Sequence, residues 1–160
     1  MIEGEHWQSL FARVQGQARH SPQDALIRQI VRLRARDRCE YCLHPTMGQF
    51  QIDHILPSAR WQVQSATRRG PDHLENYAWS CPFCNTAKGA QIAGRVAGLP
   101  TRLFDPRLDR WRDHFTSMHR FLFIAGITPI GVATEKALGF NGGGIGGPLG
   151  TRHESILVGR

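Results

Sequence analysis

No stretch of this 160-residue sequence approaches the roughly 18 consecutive apolar residues that a membrane-spanning helix requires. Met1 to Leu10, which include Glu3, Glu5 and His6, have neither the basic start nor the apolar run of a secretory leader. Acids are few: 13 against 20 lysines and arginines, for a formal charge of +7 and a pI near 10.1. That shortage makes a polyanion the expected partner, nucleic acid ahead of an acidic membrane or protein. No internal repeat is present. No cysteine is left over either, because the four form two Cys-x-x-Cys pairs, Cys39/Cys42 and Cys81/Cys84. The expected location is the cytoplasm, where thiols stay reduced and such spacing argues for a metal before a disulfide.

At this length one modest domain fits, with a core that is marginal without help. Residues 1–20 read as a polar N-terminal extension in which Trp7, Leu10 and Phe11 mark a short docking helix. The first long helix is expected to be capped at Ser21, with Pro22 at its first position and Asp24 completing a capping-box-like pattern. Leu26, Ile27, Ile30, Val31 and Leu33 then share one side, and Arg28, Arg32 and Arg36 the other. Arg34 falls among the apolar positions and would have to snorkel.

Residues 49–55 read as a strand ending before Pro57, residues 58–72 as a basic loop, and residues 74–77 as a short turn or helix. A helix is expected over 85–97, though Gly89 and Gly94 oppose it. Another is expected from Leu103-Phe104-Asp105-Pro106 to about Met118, with Leu108, Trp111 and Phe115 as its core face. A strand over 121–127 and a helix from Pro129 to about Gly139 complete the body. From Gly142 the chain turns glycine-rich, so 21–141 is expected to form the domain and 142–160 a flexible tail.

Two Cys-x-x-Cys turns supply the two edges of a thiolate tetrahedron, which zinc prefers. Such a site, with no thiol left over, is closed and structural, one zinc per chain. A redox dithiol is the alternative, but it would more naturally be a single pair opening a helix after a strand. The zinc pins residues 43–80 as a loop, and that loop carries Asp53-His54 at a strand end and Asn76, with Asn85 directly after the last cysteine. Each has an ordinary structural reading: a satisfied strand-end pair for Asp53-His54, a turn cap for Asn76, a helix cap for Asn85.

The ordered set Cys39-x-x-Cys42, Asp53-His54-Ile55-x-Pro57, Asn76, Cys81-x-x-Cys84-Asn85 and Lys88-Gly89 resembles the HNH endonucleases, and within them the zinc-containing subgroup. The resemblance covers roughly residues 36–90. The segment Leu103-Phe104-Asp105-Pro106-Arg107, with Trp111 and His114-Phe115, is similar to a stretch that trails this core in some bacterial members. The resemblance implies an α+β fold: a ββα-metal core clamped by the four-cysteine zinc site, with flanking helices. It further implies that His54 is the general base and that Asp53 and Asn85 hold a catalytic magnesium or manganese ion. Asn76 would brace the loop that orients His54. Asn85 stands where the family name has a histidine. A glycine pair common after the Asp-His strand is replaced by Trp61 and a basic loop.

The chemistry suits these residue types. A neutral imidazole takes a proton from attacking water. Oxygen ligands select a hard ion that neutralises charge on a phosphodiester, whereas thiolates select zinc. Consecutive strand residues point to opposite faces, so Asp53 and His54 must sit at a twisted strand end or grip the phosphate from two sides. Lys88, Arg60, Arg68 and Arg69 are candidates for DNA phosphate contacts, beside the stripe of Arg28, Arg32 and Arg36. His44, His73 and His114 are spare imidazoles. The expected activity is hydrolysis of DNA, with RNA as the alternative nucleic acid and no membrane partner. A zinc-ribbon-like nucleic-acid-binding module without catalysis is the rival; a structural zinc protein mediating protein contacts is a second.

Overall fold

Asp24, not Ser21, opens the first long helix in the computed structural model of the protein. Its carboxylate accepts from the backbone N–H groups of Leu26 and Ile27, while the Ser21 hydroxyl is engaged with Gln23. The structure describes residues 7–45, 48–58, 71–118 and 123–141. Helix α1 (Trp7–Val14) packs on α2 (Ala25–Arg34), joining Leu10 and Val14 to Ile27, Ile30 and Val31 in the core. Arg34 does not snorkel. It turns inward and donates to the carbonyls of Leu74 and Tyr77, and burial pushes its guanidinium down to about 10, still charged near neutrality.

Strands β1 (Gln51–His54) and β2 (Tyr77–Ser80) pair antiparallel, with His54 opposite Tyr77 and Gln51 opposite Ser80. A 3-10 turn at Leu74–Asn76 leads into β2, and α3 (Pro82–Lys88) follows at once, capped by Cys81. This ββα unit contacts α2 through β2, so the sheet lies between helices. The architecture is α+β, small antiparallel pairs among helices, as expected.

Two expected helices are corrected. Residues 85–97 leave the helix at Lys88 and form a hairpin of β3 (Ala93–Val96) and β4 (Leu99–Arg102). Its two-residue turn, Ala97-Gly98, has both φ values positive, which suits the right-handed twist of a tight hairpin. The stretch 103–118 is likewise no single helix. Asp105 nucleates a turn, its side chain accepting from Arg107 N, before a short α4 (Trp111–His114) runs directly into β5 (Phe115–Met118). Leu108, expected on a core face, is 69% exposed.

Strand β5 pairs with β6 (Phe123–Gly126), and α5 (Pro129–Leu138) crosses β6 and the β3–β4 hairpin. The crossing is so close that a Cβ on Gly131 would lie 2.0 Å from the His114 carbonyl oxygen. Asn141 closes the described body with side-chain bonds to both backbone groups of Ile124. The tail expected over 142–160 lies outside the described residues. No described helix is long and apolar enough to cross a membrane.

Candidate active site and metal centre

Cys39 and Cys42 sit on a tight knuckle in which Leu43 N donates to Cys39 O, and Leu43 adopts a positive φ of 58°. Cys81 and Cys84 sit on the first turn of α3, where the Cys81 sulfur caps the Cys84 N–H at 3.4 Å. All four are buried, and their sulfurs lie within 4.8 Å of one another. Hydrogen bonds from Cys39, Cys42 and Cys81, then burial, push the Cys84 thiol well above its ordinary value. Four thiolates so enclosed need a cation to coexist, and this closed donor set fits zinc.

The knuckle is braced from the C-terminal part of the domain. Arg107 makes an ion pair with Glu40, Glu40 accepts from Trp79 N, and Trp111 Nε1 donates to the Tyr41 carbonyl. The Leu-Phe-Asp-Pro-Arg segment and Trp111 are thereby tied to the cysteine end of the ββα unit.

Along β1, alternation sends side chains to two sides. Gln51 and Asp53 face α3 at Asn85 and Lys88, two positions on a strand meeting two positions one turn apart on a helix. The Asp53 carboxylate is buried, accepting from the Tyr41 hydroxyl at 2.5 Å and from Lys88 Nζ at 3.1 Å. Burial raises its pKa despite the Lys88 charge and the Tyr41 bond. Tyr41 itself is pushed far up by burial and by Asp53, so it stays a donor.

His54 faces the other way. Its Nε2 lies 3.1 Å from Asp72 Oδ1, and its ring meets Tyr77 edge-on at 5.1 Å. Its backbone carbonyl accepts from Lys88 Nζ at 2.8 Å. A hydrogen bond from Arg19 is the main cause holding the Asp72 carboxyl below its usual range, against burial and with help from His54. Asn76 is buried and spans the loop: its carbonyl oxygen accepts from Leu56 N, and its amide donates to the Leu56 and Pro71 carbonyls. Ile55 N donates to Asn76 O, extending the ladder past His54.

Asp53 and His54 thus lie back to back rather than in one pocket. Asn85 lies within α3, not at its cap, and its amide donates to Gln51. Lys88, expected at a phosphate, is 2% exposed and directed inward at Asp53. Arg60, Arg68 and Arg69, with Trp61, lie outside the described residues. The spare imidazoles are engaged elsewhere: His44 with Pro45 O, His73 with Glu75 and against the His20 ring, His114 with Thr128.

Asp72, Tyr41 and Gln51 were not singled out from the sequence. For Asp72 a signal existed, since it is the one acid between Asp53 and Glu75 in an otherwise basic loop.

Residues 39–91 match the family model described as HNH endonuclease. The match begins at the first knuckle cysteine and ends just after α3, so it frames the ββα unit and both cysteine pairs. Neither the curated proteins nor the solved structures contain a match to the chain.

Proposed function

We propose that this protein is a metal-dependent endonuclease that hydrolyses DNA phosphodiester bonds with His54 as general base. The observation that carries this reading is the mounting of His54. Asp72 holds its Nε2, Lys88 its carbonyl and Asn76 the loop that follows, all inside the HNH match. A module that only binds nucleic acid has no use for an imidazole oriented by a carboxylate on a backbone held at its own carbonyl and at the loop that follows.

With Nε2–H donated to Asp72, the Nδ1 lone pair is left to accept a proton from water. That water attacks phosphorus in line as the bond to the 3′ oxygen breaks; the leaving oxygen takes a proton from solvent water, and the ends are a 5′-phosphate and a 3′-hydroxyl. Asp72 then stabilises the imidazolium. Asp53 and Asn85 are the residues that would hold magnesium or manganese, a carboxylate and an amide with hard oxygens, once Lys88 gives way from Asp53; ion and imidazole would then grip the phosphate from the two sides of β1. Bound there, the ion supplies positive charge against the phosphate oxygens and the leaving group. Zinc would belong to the four cysteines, in the reducing cytoplasm. Arg60, Arg68 and Arg69 would contact DNA phosphates.

Plasmid DNA incubated with the protein, with and without magnesium or manganese, tests the reading. Cleavage should need the ion, and His54→Ala should lose about 10²–10⁴-fold in rate. DNA binding should persist, since backbone contacts supply most affinity. A folded His54→Ala variant that cuts at the parent rate excludes His54. Salt-sensitive binding without any cleavage would leave the zinc-ribbon-like module.

A further inference from the structure

A groove of about 790 Å³ runs between α2 and the segment that enters β1. Arg28 and Arg32 line it with four primary amides, those of Gln23, Gln29, Gln49 and Gln51, and among the described residues no carboxylate lines it. We propose that this groove holds an unpaired nucleotide of the DNA strand, next to the cut. The proposal rests on the nuclease reading for its substrate and adds that the substrate carries unpaired bases.

Arg28 supports this most directly. Its guanidinium donates to the Phe50 carbonyl at 2.8 Å and lies 5.3 Å from the centroid of the Trp79 ring. Trp79 is itself stacked on Phe50, at 5.8 Å and 29°. The indole and that hydrogen bond hold the guanidinium as a fixed, flat cation, a surface on which bases stack. Primary amides pair bidentately with adenine and arginine with guanine, so the walls match base edges. A duplex shows only its groove edges and hides the base faces and Watson–Crick edges, whereas an unpaired base offers its face to the Arg28 plane and its Watson–Crick edge to the amides. The volume lies within the roughly 300–1,000 Å³ of ligand pockets, a fit for nucleotides rather than a duplex.

Position connects the groove to the candidate centre. Gln51, in its wall, accepts from Asn85 and begins the strand that ends at His54, about 10 Å further at the rise of a β-strand. Arg32 also meets Asp37 in an exposed ion pair, of a kind weak enough to yield to a phosphate.

The test is fluorescence anisotropy on the full zinc-loaded chain without added magnesium or manganese, so that nothing is cut. The probes are a labelled blunt duplex and the same duplex carrying a short unpaired overhang. The parent should bind the overhang on the order of tenfold tighter, as base stacking predicts. Gln29→Ala, at an exposed helical position, should remove that preference while leaving blunt-duplex affinity within about twofold. Arg28→Lys keeps the charge, loses the plane, and should do the same; its thermal unfolding is measured alongside because Arg28 also ties down Phe50. Equal binding of the two probes by the parent overturns the proposal, as does a parallel loss on both probes in Gln29→Ala. Displacement of the overhang probe by polyglutamate as readily as by unlabelled oligonucleotide would assign the groove to an acidic peptide instead. A parent that prefers overhangs yet never cuts with any metal removes the nuclease reading and keeps the groove, whereas cutting without overhang preference does the reverse.

Discussion

Lys88 Nζ lies 3.1 and 3.0 Å from the two carboxylate oxygens of Asp53, and both side chains are buried. The ammonium therefore stands where a divalent ion bound to Asp53 would place its charge. Removing one partner of a buried pair leaves an uncompensated charge, at a cost of about 3–5 kcal/mol. Lys88→Met should unfold at clearly lower temperature than the parent. If Asp53 is a ligand, magnesium or manganese replaces the lost charge, and the melting temperature of the variant should rise with ion concentration more than that of the parent. A variant whose melting ignores both ions removes Asp53 from the metal site.

The four clustered sulfurs predict about one tightly held zinc per chain, measurable by elemental analysis. Replacing any one of Cys39, Cys42, Cys81 or Cys84 with Ser should cost stability well beyond a surface substitution, because zinc binding contributes folding free energy. A strong chelator should reproduce that loss in the parent. Folded, zinc-free protein with unchanged thermal unfolding is the result that would refute a structural zinc.

How much of this could be read from the chain differs by element. The cysteine cluster was legible because ligand chemistry and spacing are local to the sequence, and the family resemblance, carried by ordered motifs, framed the unit that holds Asp53, His54 and Asn76. The apolar face of α2 was legible from its period, although the helix ends at Arg34 and the expected stripe residue Arg36 lies beyond it with a positive φ; α5 was legible too, with Thr128 as cap and Gly139 at its left-handed end. The segment 103–118 was misread because Leu108, Trp111 and Phe115 imitate a helical face. Distant partners prevail there: Glu40 takes Arg107, the Tyr41 carbonyl takes the Trp111 indole, and Phe115 packs on Phe104 and Phe140. Asp72 could not be paired with His54 from sequence, since only the antiparallel return from β1 to β2 brings them together. The turn at Ala97-Gly98 was a signal left unread.

Asn76 satisfies three backbone groups from one buried side chain. Asn76→Ala should cost about 2–4 kcal/mol by stranding them. Asn76→Asp keeps the acceptor for Leu56 N but loses the donor to Leu56 O and Pro71 O, so it should not rescue. If Asn76 positions His54, a background in which Asn76→Ala still folds at low temperature should lose kcat with little change in DNA affinity. Equal kcat in that folded variant would leave Asn76 a purely structural clamp.

The Asp72–His54 contact makes a prediction about pH. Arg19 first, and His54 after it, hold the Asp72 carboxyl below its ordinary value despite some burial. For a depressed acid, the stabilising contribution is fully present above the unfolded value of about 3.9 and disappears as pH falls through the lower native value. Asp72→Asn should therefore be less stable than the parent near neutrality, modestly so because Arg19 is 81% exposed, and the difference should vanish in strong acid. In catalysis Asp72 orients the ring. In Asp72→Asn the neutral amide can turn and donate to Nε2, which favours the wrong tautomer and no longer leaves the Nδ1 lone pair toward water, so kcat should fall with little change in DNA affinity. Asp72→Glu, which restores an acceptor at a different reach, should recover part of the loss. Unchanged kcat in a folded Asp72→Asn variant would mean that Asp72 does not touch the working base.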